Sequence, residues 1–208
     1  TGKELKASVI PGTLSFSVEL GRLLRRHRGP VAKILAPLSD GRLASADAPY
    51  SGLVALDGNL TPELLGHIAR DPLLASSDLR LAPASPGKAE RLFPFVKAGR
   101  GMLYVNLEEA GLLCQKHFSR SQEAAEALLA RGAARVLVTD GAHDATEGTA
   151  SGLVTQTPPQ GLVARVTGAG DTFMAAHIAA EARGLSPEAA LANALETAAT
   201  YVSGETPF

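Results

Sequence analysis

Gly168-Ala169-Gly170-Asp171 carries the clearest chemical signal in the chain. Leu162–Val166 before it reads as a strand or extended approach. Thr172–Arg183 after it reads as a helix that ends before Gly184. Small residues at a helix start let the backbone approach a ligand closely and leave N–H groups pointing at it. The helix end adds roughly half a positive charge, so a phosphate is a natural guest. Asp171 is the odd member, because a carboxylate repels an anion. A general base resolves the conflict: it takes the proton of a hydroxyl whose oxygen attacks a phosphoryl group. Such a base contributes ~10²–10⁴-fold in rate, while the N–H cradle stabilises charge on the group in transfer. The four residues alone also allow a plain glycine turn capped by Asp171. A dinucleotide fingerprint fits less well, since Phe173 stands where the third glycine belongs and the motif lies near the C-terminus. Gly87-Lys88 lacks both the first glycine and the Ser/Thr of a GxxxxGK[ST] loop.

The elements that must hold this turn follow from periodicity. Val31–Leu35, Gly52–Leu56, Met102–Val105 and Arg135–Thr139 are short apolar runs without alternation, as in parallel strands buried on both faces. Helices fall between them. Thr61 caps one, with Pro62 at its first position and Leu64, Leu65 and Ile68 as its inward stripe. A second starts at Ser119 or Ser121, runs through Ala124–Arg131 and stops at Gly132. A third starts at Ser186-Pro187-Glu188 and runs to about Val202. Thr13-Leu14-Ser15-Phe16-Ser17 alternates like a strand end or extended loop, and a helix-like Val18–Arg28 follows it with no turn between. Strands alternating with helices predict an α/β fold, a doubly wound, mostly parallel sheet flanked by helices.

Composition narrows the partners. The 208 residues, 45% of them hydrophobic, suit one globular domain over 1–208 with a substantial core. A net charge of −1 gives no basic field, so no nucleic-acid polymer is expected. The single cysteine, Cys114, cannot form an internal disulfide, which fits a reducing, cytoplasmic setting. No apolar run reaches the roughly 18–20 residues of a membrane span, so no membrane partner is expected. The chain opens on Thr1-Gly2-Lys3, without an initiator Met or the apolar stretch of a signal peptide. The five histidines show no metal-ligand spacing, and His177, two turns into the motif helix, reads as packed or solvated.

Val166–Asp171, followed by Thr172-Phe173-Met174-Ala175-Ala176, resembles the C-terminal signature of the PfkB, or ribokinase-like, carbohydrate and nucleoside kinases. Three further segments follow the family's order. Asn106-Leu107-Glu108-Glu109 resembles its Asn-x-x-Glu motif. By that resemblance Asn106 and Glu109 organise Mg²⁺, through water; the plainer alternative is an ordinary turn and helix-start pair. Thr139-Asp140-Gly141 resembles the Thr-x-Gly that contacts the nucleotide, although Thr139 could simply end a strand. Ala192-Asn193-Ala194 resembles the segment lining the adenine pocket, although Asn193 could be a surface residue. The likeness covers about residues 53 to 208. Within the family it is nearest to the pseudouridine-phosphorylating branch. Asp57-Gly58-Asn59 resembles that branch's Asp-x-Asn, which implies substrate contact, while turn formation ahead of Thr61 is the plainer reading. Pro83-Ala84-Ser85 with Lys88 resembles its Pro-Val-Ser…Lys stretch.

The family's Gly-Gly-x-x-x-Asn substrate motif is absent at the join of Ser17 and Val18, and its small β lid is absent between about Gly41 and Ser51. Segments of a longer polypeptide are therefore expected to be missing near 17–18 and 41–51. The resemblance implies ATP and Mg²⁺ as cofactors and a sugar or nucleoside as partner. Asp171 would be the base, and Gly168, Ala169 and Gly170 the phosphate cradle. Thr139, Gly141 and Asn193 would line the nucleotide site. Pseudouridine, giving its 5′-phosphate, is the first substrate expected. A ribokinase- or fructokinase-type sugar kinase, or a non-catalytic nucleotide-binding remnant, is the alternative. A homodimer through the lid is implied by resemblance alone.

Overall fold

The computed structural model describes residues 13–15, 45, 47–161 and 163–204. Strands β1 (Thr13–Ser15), β2 (Leu53–Asp57), β3 (Asp78–Ala82), β4 (Met102–Asn106) and β5 (Arg135–Asp140) run parallel, each beside the next. β6 (His143–Thr149) and β7 (Gly152–Gln156) complete the sheet as antiparallel neighbours. Six of these strands are five to seven residues long, and β1 is a three-residue edge. The described helices are α1 (Pro62–Ile68), α2 (Phe93–Ala98), α3 (Leu107–Cys114), α4 (Ser121–Ala130), α5 (Ala169–Ala182) and α6 (Pro187–Ser203).

The continuous apolar strands are explained by burial on both sides. Leu103 and Val105 of β4 join Leu79, Leu81, Val136 and Val138 in a core closed by α1 to α4. The alternate residues, Met102 and Tyr104, join Leu137 on the other face against Phe173 of α5 and Leu191, Ala194 and Leu195 of α6. The expected fold class, a mostly parallel sheet with helices on both faces, is the observed one. No described helix is long and apolar enough to cross a membrane.

Local signals placed several elements. Thr61 Oγ1 accepts from Leu64 N at the head of α1, and Ser186 Oγ accepts from Ala189 N at the head of α6 (both 3.3 Å). α4 starts at Ser121, one of its two expected starts, with Arg120 as N-cap, and the buried Ser121 hydroxyl pairs with Thr146 Oγ1 on β6 (2.9 Å). Other elements differ from expectation. α5 starts at Ala169, inside the glycine turn, not at Thr172. Residues 163–166 form no strand; the N–H groups of Ala164 and Arg165 bond the Val202 carbonyl at the end of α6 instead of a sheet neighbour. The expected strand at Val31–Leu35, the helix at Val18–Arg28 and the join at 17–18 lie outside the described residues, as do residues 41–44 and 46 of the join at 41–51.

Candidate active site

The strand register aligns Asp57 with Ala82 and Asn106 with Thr139, so the carboxyl ends of β2 to β5 share one edge of the sheet. Ligands of open α/β sheets bind beyond that edge. The start of α5 reaches over it and closes a two-part cleft. The more polar part, about 300 Å³, is walled by Asn106, Glu109, Thr139, Gly168, Gly170 and Asp171. The more apolar part, about 450 Å³, is walled by Val163, Val166, Leu195, Ala198, Ala199 and Val202. Asn106, Thr139, Gly170 and Phe173 line both, so the two parts are continuous.

Gly168 holds φ 89° and ψ −3°, a left-handed conformation costly for a residue with a side chain. The first helical bond runs from Thr172 N to the Gly168 carbonyl (2.9 Å). Ala169 N–H donates to the Val166 carbonyl (3.1 Å), and Ala169 faces the apolar part, so of the three expected cradle residues Gly168 and Gly170 are those facing the polar part. Gly170 N–H lies in the first turn, which has no internal acceptor for it, and no side chain caps the helix. The alternative of a turn capped by Asp171 is therefore not realised. Asp171 is exposed on the wall of the polar part.

Asn106 and Glu109 form a reciprocal capping box at the head of α3. Asn106 Oδ1 accepts from Glu109 N (2.8 Å), and Glu109 Oε2 accepts from Asn106 N (2.9 Å). The helix-start reading is thus realised, and both residues also line the polar part. Burial pushes the Glu109 carboxyl up, partly offset by the Asn106 N–H. Thr139 sits where the β5–β6 register slips between Val138 and Asp140. Such irregularities re-aim side chains beside active sites, and Thr139 lines both parts of the cleft. Gly141, at φ 57°, turns the hairpin and lines the apolar part.

Two sets of expected site residues do not line either part of the cleft. Asn193 is half-buried and accepts from Arg183 Nη2 (3.2 Å), away from both parts of the cleft. Leu195, Ala198, Ala199 and Val202 are the α6 residues that face inward. Asp57 and Asn59 close on each other: Asp57 accepts from Asn59 N (2.9 Å) and Nδ2 (2.8 Å), the turn-former geometry. Lys88 Nζ donates to Asn59 Oδ1 (2.6 Å), which ties the two branch-like segments together beside Pro83 and Ala84 on the cleft rim.

Sequence reasoning missed a buried polar ring beneath α5. Arg80 Nη1 donates to Tyr104 Oη (2.9 Å) and to Glu181. The Tyr104 hydroxyl also lies within hydrogen-bond distance of His177 Nδ1 (2.9 Å), and His177 Nε2 faces Glu147 Oε2 (3.3 Å). Arg135 bridges Glu147 and Glu181 and closes the ring. Burial pushes the Tyr104 phenol well up, which keeps it a donor. Burial also opposes ionisation of Glu147 and Glu181, but their bonds to His177, Arg135 and Arg80 outweigh it and hold both carboxyls below 4.5. Glu147, His177 and Glu181 bring potential metal-binding atoms within 4.8 Å of one another. With Arg80 and Arg135 already supplying the positive charge, the cluster acts as a tether between α5 and the sheet. Its members come from five elements, β3 to β6 and α5, and show no spacing signal.

The profile of the pfkB family carbohydrate kinases matches residues 96–206, more than half of the chain, which therefore belongs to that family. Similar solved structures include a carbohydrate kinase from Agrobacterium tumefaciens, at 25% identity and TM-score 0.66, over 88% of this chain and 55% of that one. A ribokinase from Thermotoga maritima matches at 20% and 0.62, over 76% and 51%. An adenosine kinase from Sinorhizobium meliloti matches at 18% and 0.61, over 72% and 48%. The ribokinase-like fold is thus the fold of this chain, which spans about half the length of these structures. No curated protein matches the sequence.

Proposed function

We propose that the chain is the phosphoryl-transfer part of a Mg·ATP-dependent kinase acting on a primary hydroxyl of a sugar or nucleoside, with residues 1–208 as one domain. One observation carries this reading: an uncapped helix start and a carboxylate on its first turn meet on the wall of a cleft at the carboxyl ends of parallel strands. Gly168 and Gly170 would present N–H groups to the phosphates, and the helix end would add its partial charge. Asp171 would accept the proton of the attacking hydroxyl and, being exposed, pass it to water. The apolar wall of Leu195, Ala198 and Val202 suits a nucleotide base, with Thr139 and Gly141 at its polar end. Asn106 and Glu109 fit a hydrated magnesium ion, since each already accepts a backbone N–H and keeps acceptor capacity toward the cleft. When bound, magnesium supplies the charge that neutralises the phosphates.

The carbohydrate kinase, ribokinase and adenosine kinase among the similar structures support a sugar or nucleoside acceptor. Pseudouridine heads the candidates, because the Asp57–Asn59 turn and Lys88 are bonded together next to a rim formed by Pro83 and Ala84. The test is ADP release over a panel of pseudouridine, other nucleosides, ribose and fructose, with the phosphorylated position read by NMR. Turnover with phosphate on a primary hydroxyl is the expected result. Nucleotide binding without turnover on any acceptor would favour the non-catalytic reading.

A further inference from the structure

Tyr201, in the last turn of α6, is bonded at several points to the segment that leads into the glycine turn. Its hydroxyl donates to the Thr167 carbonyl (2.9 Å). Its own carbonyl accepts from Arg165 Nε (2.7 Å), and the Arg165 guanidinium lies over its ring, 3.8 Å from the centroid. The next carbonyl, that of Val202, accepts from both Ala164 N (2.7 Å) and Arg165 N (3.1 Å). Gly168 makes room for this contact, since a Cβ there would stand 2.6 Å from Tyr201 Oη. Residues 164–168 therefore take their path from the end of α6.

The bond to Thr167 has a direct geometric consequence. The Thr167 carbonyl and the Gly168 N–H belong to one planar trans peptide, so they point in opposite directions. Holding the oxygen toward Tyr201 turns the Gly168 N–H to the side away from α6. A hydrogen bond on the carbonyl also polarises the peptide and strengthens its N–H as a donor. A cradle of N–H dipoles is effective when set before the charge arrives, and a preset turn loses less freedom on binding.

We propose that Tyr201 is a positioning residue: through the Thr167 carbonyl, its hydroxyl holds the Gly168–Gly170 turn in the conformation that receives the phosphates of a nucleoside di- or triphosphate. Its neighbours Ala198, Ala199 and Val202 line the apolar part, so the same helix end shapes the base site while setting the phosphate site. The inference rests on the phosphate reading of the turn and adds a residue that does not touch the nucleotide.

Tyr201→Phe keeps the ring, the Arg165 stack and the backbone bonds, and removes only the hydroxyl. Titration calorimetry of the 208-residue chain with ADP and with adenosine, alongside thermal melts, separates the outcomes. The expected result is a five- to tenfold rise, roughly, in Kd for ADP. Adenosine affinity should stay within about twofold and the melting temperature within about 3 °C. Unchanged ADP affinity overturns the proposal. Equal weakening of ADP and adenosine also overturns it and makes Tyr201 a packing residue. A wild-type chain that binds no ADP refutes the phosphate reading itself, a distinct failure.

Discussion

Gly168 and Asp171 show how far single residues can be read. A positive-φ glycine, an uncapped first turn and an exposed carboxylate are properties of consecutive residues, so the motif was legible before any fold was known. Asn193 was not, because which residue of a helix faces a cleft depends on packing. Leu195, Ala198 and Val202 share a face at spacings of three and four, whereas Asn193 precedes Leu195 by two and points elsewhere. Asn106 and Glu109 were legible in either role, since a capping box and a cleft wall use the same two side chains. At this scale we predict that Gly168→Ala weakens ADP binding and lowers stability by about 1–2 kcal/mol, the cost of a left-handed residue, with further loss from contact with Tyr201 Oη. ADP titration and urea unfolding read the two effects separately. Wild-type stability in the variant would mean that the turn does not need its left-handed glycine.

At the scale of elements, the position of α5 is set from two sides. Tyr201 of α6 holds the segment before it, and the ring of Arg80, Tyr104, Arg135, Glu147, His177 and Glu181 holds its body to β3, β4, β5 and β6. Neither contact has a sequence signature, because each joins residues far apart in the chain. The apolar parallel strands β2, β4 and β5 were legible, since burial on both faces leaves an unbroken hydrophobic run; β3 was not, because Asp78 and Arg80 interrupt its apolar residues. β6 was not, since it reads His-Asp-Ala-Thr-Glu-Gly-Thr and buries Thr146 and Glu147 as partners of the polar network. Glu147→Gln removes one of the two charge partners of Arg135, and breaking a buried pair costs about 3–5 kcal/mol. Arg135 is a quarter exposed and also bonds Glu181, so the lower end is expected in urea unfolding. The ring also sets an acid limit. Glu147 and Glu181 titrate below 4.5 when folded, so the unfolded chain binds protons more readily than the folded one. The stability they contribute is present above that pH and is lost as pH falls through the lowered values. A melt series from pH 7 to about 3 should show a shallower acid loss in Glu147→Gln than in wild type. Parallel acid curves would remove the ring from this role.

For the whole molecule, strands laid down in chain order bring every carboxyl end from β2 to β5 to one edge, and the second helical layer folds back over that edge only after the β6–β7 hairpin. The motif nearest the C-terminus thus meets Asn106 and Thr139 in space. Their order along the chain was legible, but their convergence needed the sheet. The phosphate and nucleotide walls are both built by residues after Ala82, while the segments expected to choose the acceptor lie toward the N-terminus. The proposed function stands or falls on Asp171 acting as base while the cleft transfers a phosphoryl group. The most direct test is turnover of Asp171→Asn against its ADP affinity, on the best acceptor from the panel. The expected result is a fall in kcat of about 10²–10⁴-fold with ADP affinity retained. Turnover unchanged in Asp171→Asn would contradict it.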